Sequence, residues 1–101
     1  MASGWLWRQV QDMGPQPRYE TAMDWCAARR RVTLWGGRAD RFVDGKQWFH
    51  NDTWEWDGQL WVQVEDTGPT GRGGFALCAD AGGGLVMFGG LYEPGGDPKA
   101  V

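Results

Sequence analysis

Leucine and isoleucine, the usual fillers of a protein interior, are scarce in this chain, and no window approaches the roughly 18 apolar residues of a membrane-spanning helix. The N-terminal MASGWLWRQV also lacks the apolar core of a secretory signal. Both absences predict a cytoplasmic location, for a chain that could have had an export signal removed. A basic stripe is missing too. With a net charge of -3 and a pI near 4.9, neither nucleic acid nor an anionic membrane is expected as a partner. The one basic run, Arg29-Arg30-Arg31, reads as a solvated turn before a strand. Histidine occurs once, at His50, and cysteine twice, at Cys26 and Cys78, without a CxxC, so no zinc-type spacing exists. The two cysteines read as buried, reduced thiols rather than a disulfide. Serine occurs only at Ser3, which leaves no Ser-His-Asp or Cys-His constellation. No cofactor is expected.

Glycine and tryptophan are what the chain has in abundance, with 17 and 8 residues among 101. That pairing points to an all-β fold of short strands and tight turns, each covered by a large flat side chain. The chain also repeats itself. Gln11–Gly37 lies over Glu65–Gly90 with a period of 54 residues, which a one-residue gap near Arg29–Arg31 closes to 53. Asp12 and Asp66, Gly14 and Gly68, Arg18 and Arg72, and the doublets Gly36-Gly37 and Gly89-Gly90 coincide. Trp7–Val10 likewise matches Trp61–Val64. A period of about 40 to 55 residues built of short strands is the signature of a propeller blade.

Alternation of apolar and polar residues divides each repeat into four strands. Strand a runs from Glu20 to Asp24 and again from Phe75 to Ala79. Strand b is RVTLWGG and then GLVMFGG, each closed by two glycines where a side chain would clash or φ must be positive. Strand c is DTWEW. Strand d is LWVQV, joined to it by Asp57-Gly58, a two-residue hairpin signal. Asn51-Asp52-Thr53 reads as the polar turn that opens strand c, and GRGGF, leading into a strand, is no phosphate loop.

The order P-x-P-R, TLWGG or VMFGG, a loop, NDTWEWDG and LWVQV resembles the kelch repeat of galactose-oxidase-type β-propellers, over Trp5 to about Gly90. The resemblance implies four-stranded antiparallel blades, with Arg18 and Arg72 near blade junctions and Trp54, Trp56 and Trp61 packing one blade on the next. It implies little about activity, since a fold hosts many functions. The copper site of galactose oxidase needs Tyr, His and a Cys-linked Tyr, and Tyr19, Tyr92 and His50 do not supply those parts.

Residues 20–64 read as one complete blade. A second, composite blade takes strands a and b from residues 75–90 and strand d from residues 5–10, lacks its strand c, and is followed by a tail at 91–101. Lys99–Val101 is at best a poor substitute for that strand. Two blades cannot close a propeller, which needs roughly four to eight. The expectation is therefore that oligomerisation completes the propeller. The partner is the chain itself, in a cyclic head-to-tail trimer of six blades, with a dimer or tetramer as alternatives. A truncated product without a role would instead aggregate.

Function could sit in the segment between strands b and c, where Arg38, Arg41, Phe42, Trp48, Phe49 and His50 interleave aromatics with charge. They either form a recognition surface or tuck back onto the blade edge. His50 reads first as a surface or hydrogen-bonded histidine. His50 and Asp24 are the weak candidates for a metal site, and no catalytic residue is assigned. The expected role is a structural or protein-interaction module. The alternative is a minimal hydrolase or a small-ligand or metal site formed at the channel or subunit seam of the oligomer.

Overall fold

The computed structural model of the chain describes residues 6–92. Within them the fold is all-β, without a helix: three antiparallel sheets of three, four and two strands. The strands are β1 (Arg18–Tyr19), β2 (Ala22–Cys26), β3 (Arg31–Trp35), β4 (Arg38–Val43), β5 (Lys46–Phe49), β6 (Thr53–Trp56), β7 (Trp61–Glu65), β8 (Ala76–Ala79) and β9 (Leu85–Phe88). The largest sheet is a meander in the order β2-β3-β6-β7. Its rows are set by the pairs Asp24 with Thr33, Thr33 with Glu55, and Glu55 with Val62.

Because successive side chains alternate in direction, this register sorts the sheet into two unlike faces. The inner face carries Ala22, Asp24, Cys26, Thr33, Trp35, Thr53 and Glu55, of which Cys26, Thr33, Trp35 and Glu55 are buried. The opposite face carries Met23, Trp25, Val32, Leu34, Trp54, Trp56 and Trp61. It is mostly apolar, with Gln63 beside Trp54, and partly open: Met23 is 61% and Trp25 54% exposed, Leu34 is buried, and Val32, Trp54, Trp56 and Trp61 are half-buried, with Gly14 against Trp61.

What covers the inner face is the second copy of the repeat. β8 pairs with β9, and β8 lies beside β2. Leu77, Leu85 and Met87 face Trp35 and Thr53 across a gap of about 200 Å³. Phe75 meets Trp35 edge-on at 5.1 Å, and the Ala79 amide donates to Asp24 Oδ2 at 2.8 Å. Residues at equivalent positions behave alike. The bridge between Gly73 and Leu91 falls where the repeat places the pair of Tyr19 with Arg38. Both glycine doublets are left-handed, at φ 71° and 106° and at 79° and 97°. A Cβ on Gly37 would lie 2.9 Å from Thr21 Cβ, and one on Gly90 would lie 3.0 Å from the Gly73 carbonyl.

Several expectations need correction. Arg38–His50 is not a plain loop: it folds as the hairpin β4-β5, joined by β1 into the three-stranded sheet. Asp44 and Gly45, at φ 51° and 76°, make the two-residue turn, the left-handed pair that suits a twisted hairpin. The reversal after β6 spans Asp57–Leu60, since Trp56 pairs with Trp61. Asp57 Oδ1 caps it by accepting from the Gln59 and Leu60 amides at 2.8 and 2.9 Å. The first strand a begins at Ala22 and not at Glu20, which sits at φ 57° outside it. Leu6–Val10 forms no strand, while Trp5 and residues 93–101 lie outside the described residues. Both thiols are free, but only Cys26 is buried; Cys78 is exposed because it points away from the first copy.

Candidate functional site

Arg18 and Asp52 organise one end of the molecule. The Arg18 side chain is only 3% exposed, and its fork closes on the carboxylate, Nη1 to Oδ1 at 2.7 Å and Nη2 to Oδ2 at 3.1 Å. Nη1 also donates to the Gly36 carbonyl and Nε to the Gln16 carbonyl. One guanidinium thus ties the approach to β1, the end of β3 and the entry to β6 in a single bidentate network. Arg72 repeats the pattern, donating to the Thr70 and Gly89 carbonyls at 3.1 and 3.3 Å, the positions that the repeat aligns with Gln16 and Gly36. Burial pushes the Asp52 carboxyl up, but the hydrogen bonds from Arg18 and from Trp54 Nε1, with the Arg18 charge, outweigh it and hold it below its ordinary value.

Beside this pair lies a cavity of about 520 Å³, lined by Gln16, Pro17, Asp40, Arg41, Trp48 and His50, among others. The connection before β1 and the β4-β5 hairpin meet there. Arg41 stacks on the Trp48 ring at 4.4 Å, so those two form one wall as a cation–π pair. His50 is mostly buried, 13% exposed at the side chain, with Nδ1 3.9 Å from Asp52 Oδ1. Burial, then the Arg18 charge, pushes its pKa below the ordinary imidazole value against the pull of Asp52. The ring is therefore neutral at pH 7. Its Nε2 is buried without a hydrogen-bond partner.

The remaining residues of the segment do other things. Phe49 is buried, 3% exposed, and Arg38 bridges it and Tyr19, with its guanidinium 5.6 and 5.8 Å from the two rings while pairing with Glu20. Phe42 projects into solvent on the hairpin. Arg41, Trp48 and His50 therefore share a cavity, whereas Arg38 and Phe49 are packing and Phe42 stands apart. Asp24 lies on the inner face, bonded to the Trp25 and Ala79 amides, and does not line the His50 cavity. No group of three or more His, Cys, Asp or Glu side chains suited to a metal ion occurs among the described residues. The cavity lining includes no Ser, Thr, Cys or Lys, and its ionisable groups are Asp40, Arg41, His50 and Asp52.

Of the tryptophans, Trp54 turns its indole to Asp52 at 2.8 Å. Trp56 and Trp61 tilt together at 5.7 Å on the open face. No protein family, curated protein or solved structure matches this chain. Arg29 departs from a merely solvated turn: its Nε lies 2.5 Å from Glu55 Oε2 and covers that buried carboxylate. Asp52 is the residue that sequence reasoning missed as a partner. The available signal was Arg18 itself, an arginine that recurs in the repeat, which once buried demands a carboxylate.

Proposed function

We propose that the chain is a self-assembling β-propeller module of the kelch type, acting as a structural or protein-interaction unit through homo-oligomerisation. The observation that carries this reading is the stacking of the second repeat on the first. The two copies are related by stacking one sheet face on the other, and such a relation leaves one unsatisfied face of each kind at the two ends of the stack. Here those are the tryptophan face of the large sheet and the outer face of β8-β9, where Val86 is 53% and Phe88 82% exposed. Exposed apolar patches of this extent mark interaction surfaces.

Ring closure by cyclic symmetry would cover both faces in every subunit at once. The expected native mass, by light scattering at micromolar concentration, is two to four times the 11.3 kDa of the chain, with three times favoured. A folded, dispersed monomer at that concentration would sink this reading.

A further inference from the structure

Resting on that reading, we infer which surfaces meet: the outer face of β8-β9 of one copy docks on the Met23-Trp25-Trp56-Trp61 face of a second copy, repeating the stacking seen within the chain. Translating positions by the repeat identifies the contact. Leu77, Leu85 and Met87, which cover the first copy's inner face, align with Met23, Val32 and Leu34 of the tryptophan face. The surface they cover includes Asp24, Thr33 and Trp35, which align with Cys78, Val86 and Phe88 of the outer face. Each chain therefore presents one donor face and one acceptor face of a contact whose geometry it already contains.

The chemistry of the two open faces agrees. Within the chain the covered face holds two carboxylates, Asp24 and Glu55, and each is met by a dedicated partner, the Ala79 amide and Arg29. At the outer face the counterpart of Asp24 is Cys78, and its neighbours Ala76, Val86 and Phe88 are uncharged. Met23, Trp25, Val32, Leu34, Trp56 and Trp61 carry no charge either. Joining these surfaces sets uncharged side chains against each other at the centre of the contact, with Arg30, Arg31 and Asp57 beside Trp25, Val32 and Trp56 at its edge, whereas facing the centre against a charged partner would cost desolvation. The contact is heterologous. A two-fold pairing of tryptophan faces would leave both β8-β9 faces bare.

Within the chain Asp24 reaches the Ala79 amide at 2.8 Å; the counterpart of that meeting sets Cys78 of one copy against Trp25 of the next. Single substitutions on the two faces make the test. Met23→Asp and Phe88→Asp, both at exposed positions, should each yield folded monomers by circular dichroism and light scattering. Their equimolar mixture should recover a species of twice the monomer mass, because each retains the face the other has lost. Trp25→Cys should form an intermolecular disulfide with Cys78 on mild oxidation, absent from the additional Cys78→Ser variant and slower by tenfold or more in a Gln59→Cys control. An oligomer that survives Phe88→Asp, a mixture that stays monomeric, or Trp25→Cys linking no faster than the control would overturn the assignment while leaving self-assembly standing. A wild-type monomer would remove both.

Discussion

At the scale of single residues, the stability of this fold is tied to two side chains that must hold their charge states in a partly dry place. Asp52 is ionised against Arg18 and Trp54, with its pKa lowered from the ordinary value. His50 is neutral, with its pKa lowered too. For both groups the unfolded chain binds protons more readily, so stability rises with pH across each window. The His50 contribution is complete above the ordinary imidazole pKa of about 6.5 and is lost as pH falls towards its folded value. That of Asp52 is complete above about 3.9 and is lost below. Melting temperature measured against pH should therefore begin to fall near pH 6.5 and fall again in the acid range. His50→Gln should remove the first descent and leave the second. A profile flat from pH 7 to pH 5 in the wild type would contradict the role given to His50.

At the scale of elements, the glycine doublets show how a turn can depend on space as well as on φ. Gly37 and Gly58 have nearly the same φ, 106° and 103°, but a Cβ at Gly37 would strike Thr21 and the Tyr19 carbonyl, whereas at Gly58 it would meet nothing within 4 Å. Gly58→Ala should cost only the left-handed penalty, about 1–2 kcal/mol. Gly37→Ala should cost clearly more, since β1 and β2 must shift to admit the methyl group, and urea denaturation of the two variants reads the difference. Equal costs would mean that the Gly37 site relaxes freely. This doublet was legible in the sequence because it recurs. So were β2, β3, β6 and β7, whose apolar alternation survives on sheet faces of opposite character. The β4-β5 hairpin was not. Its charged residues Asp40, Arg41 and Lys46 mask the alternation, a register shift between Arg38 and Phe42 breaks the pattern, and the two-residue β1 is too short to have one. The cavity at His50 was legible only in part, because the burial of the imidazole depends on Arg18 and Gln16 arriving from another element.

At the scale of the whole molecule, the proposed assembly rests on where the apolar surface lies. Five apolar residues are buried among the described residues, against sixteen large hydrophobic ones that are exposed. A domain of this length has limited burial to begin with. An assembled state that covers the tryptophan and β8-β9 faces would then supply part of the folding free energy itself, and mass action makes that share depend on concentration. In a small ring each tenfold increase in chain concentration contributes about 1 kcal/mol per subunit, which for a domain near 100 residues raises the melting temperature by about 4–8 °C. Scanning calorimetry over a hundredfold range should show this rise in the wild type. Phe88→Asp should melt at one temperature throughout, near the dilute limit of the wild type, because Phe88 is 82% exposed within the chain and its loss removes little packing there. A wild-type melting temperature independent of concentration would mean that the two repeats are stable by themselves, and that their open faces are surfaces the folded chain tolerates rather than ones it needs to cover.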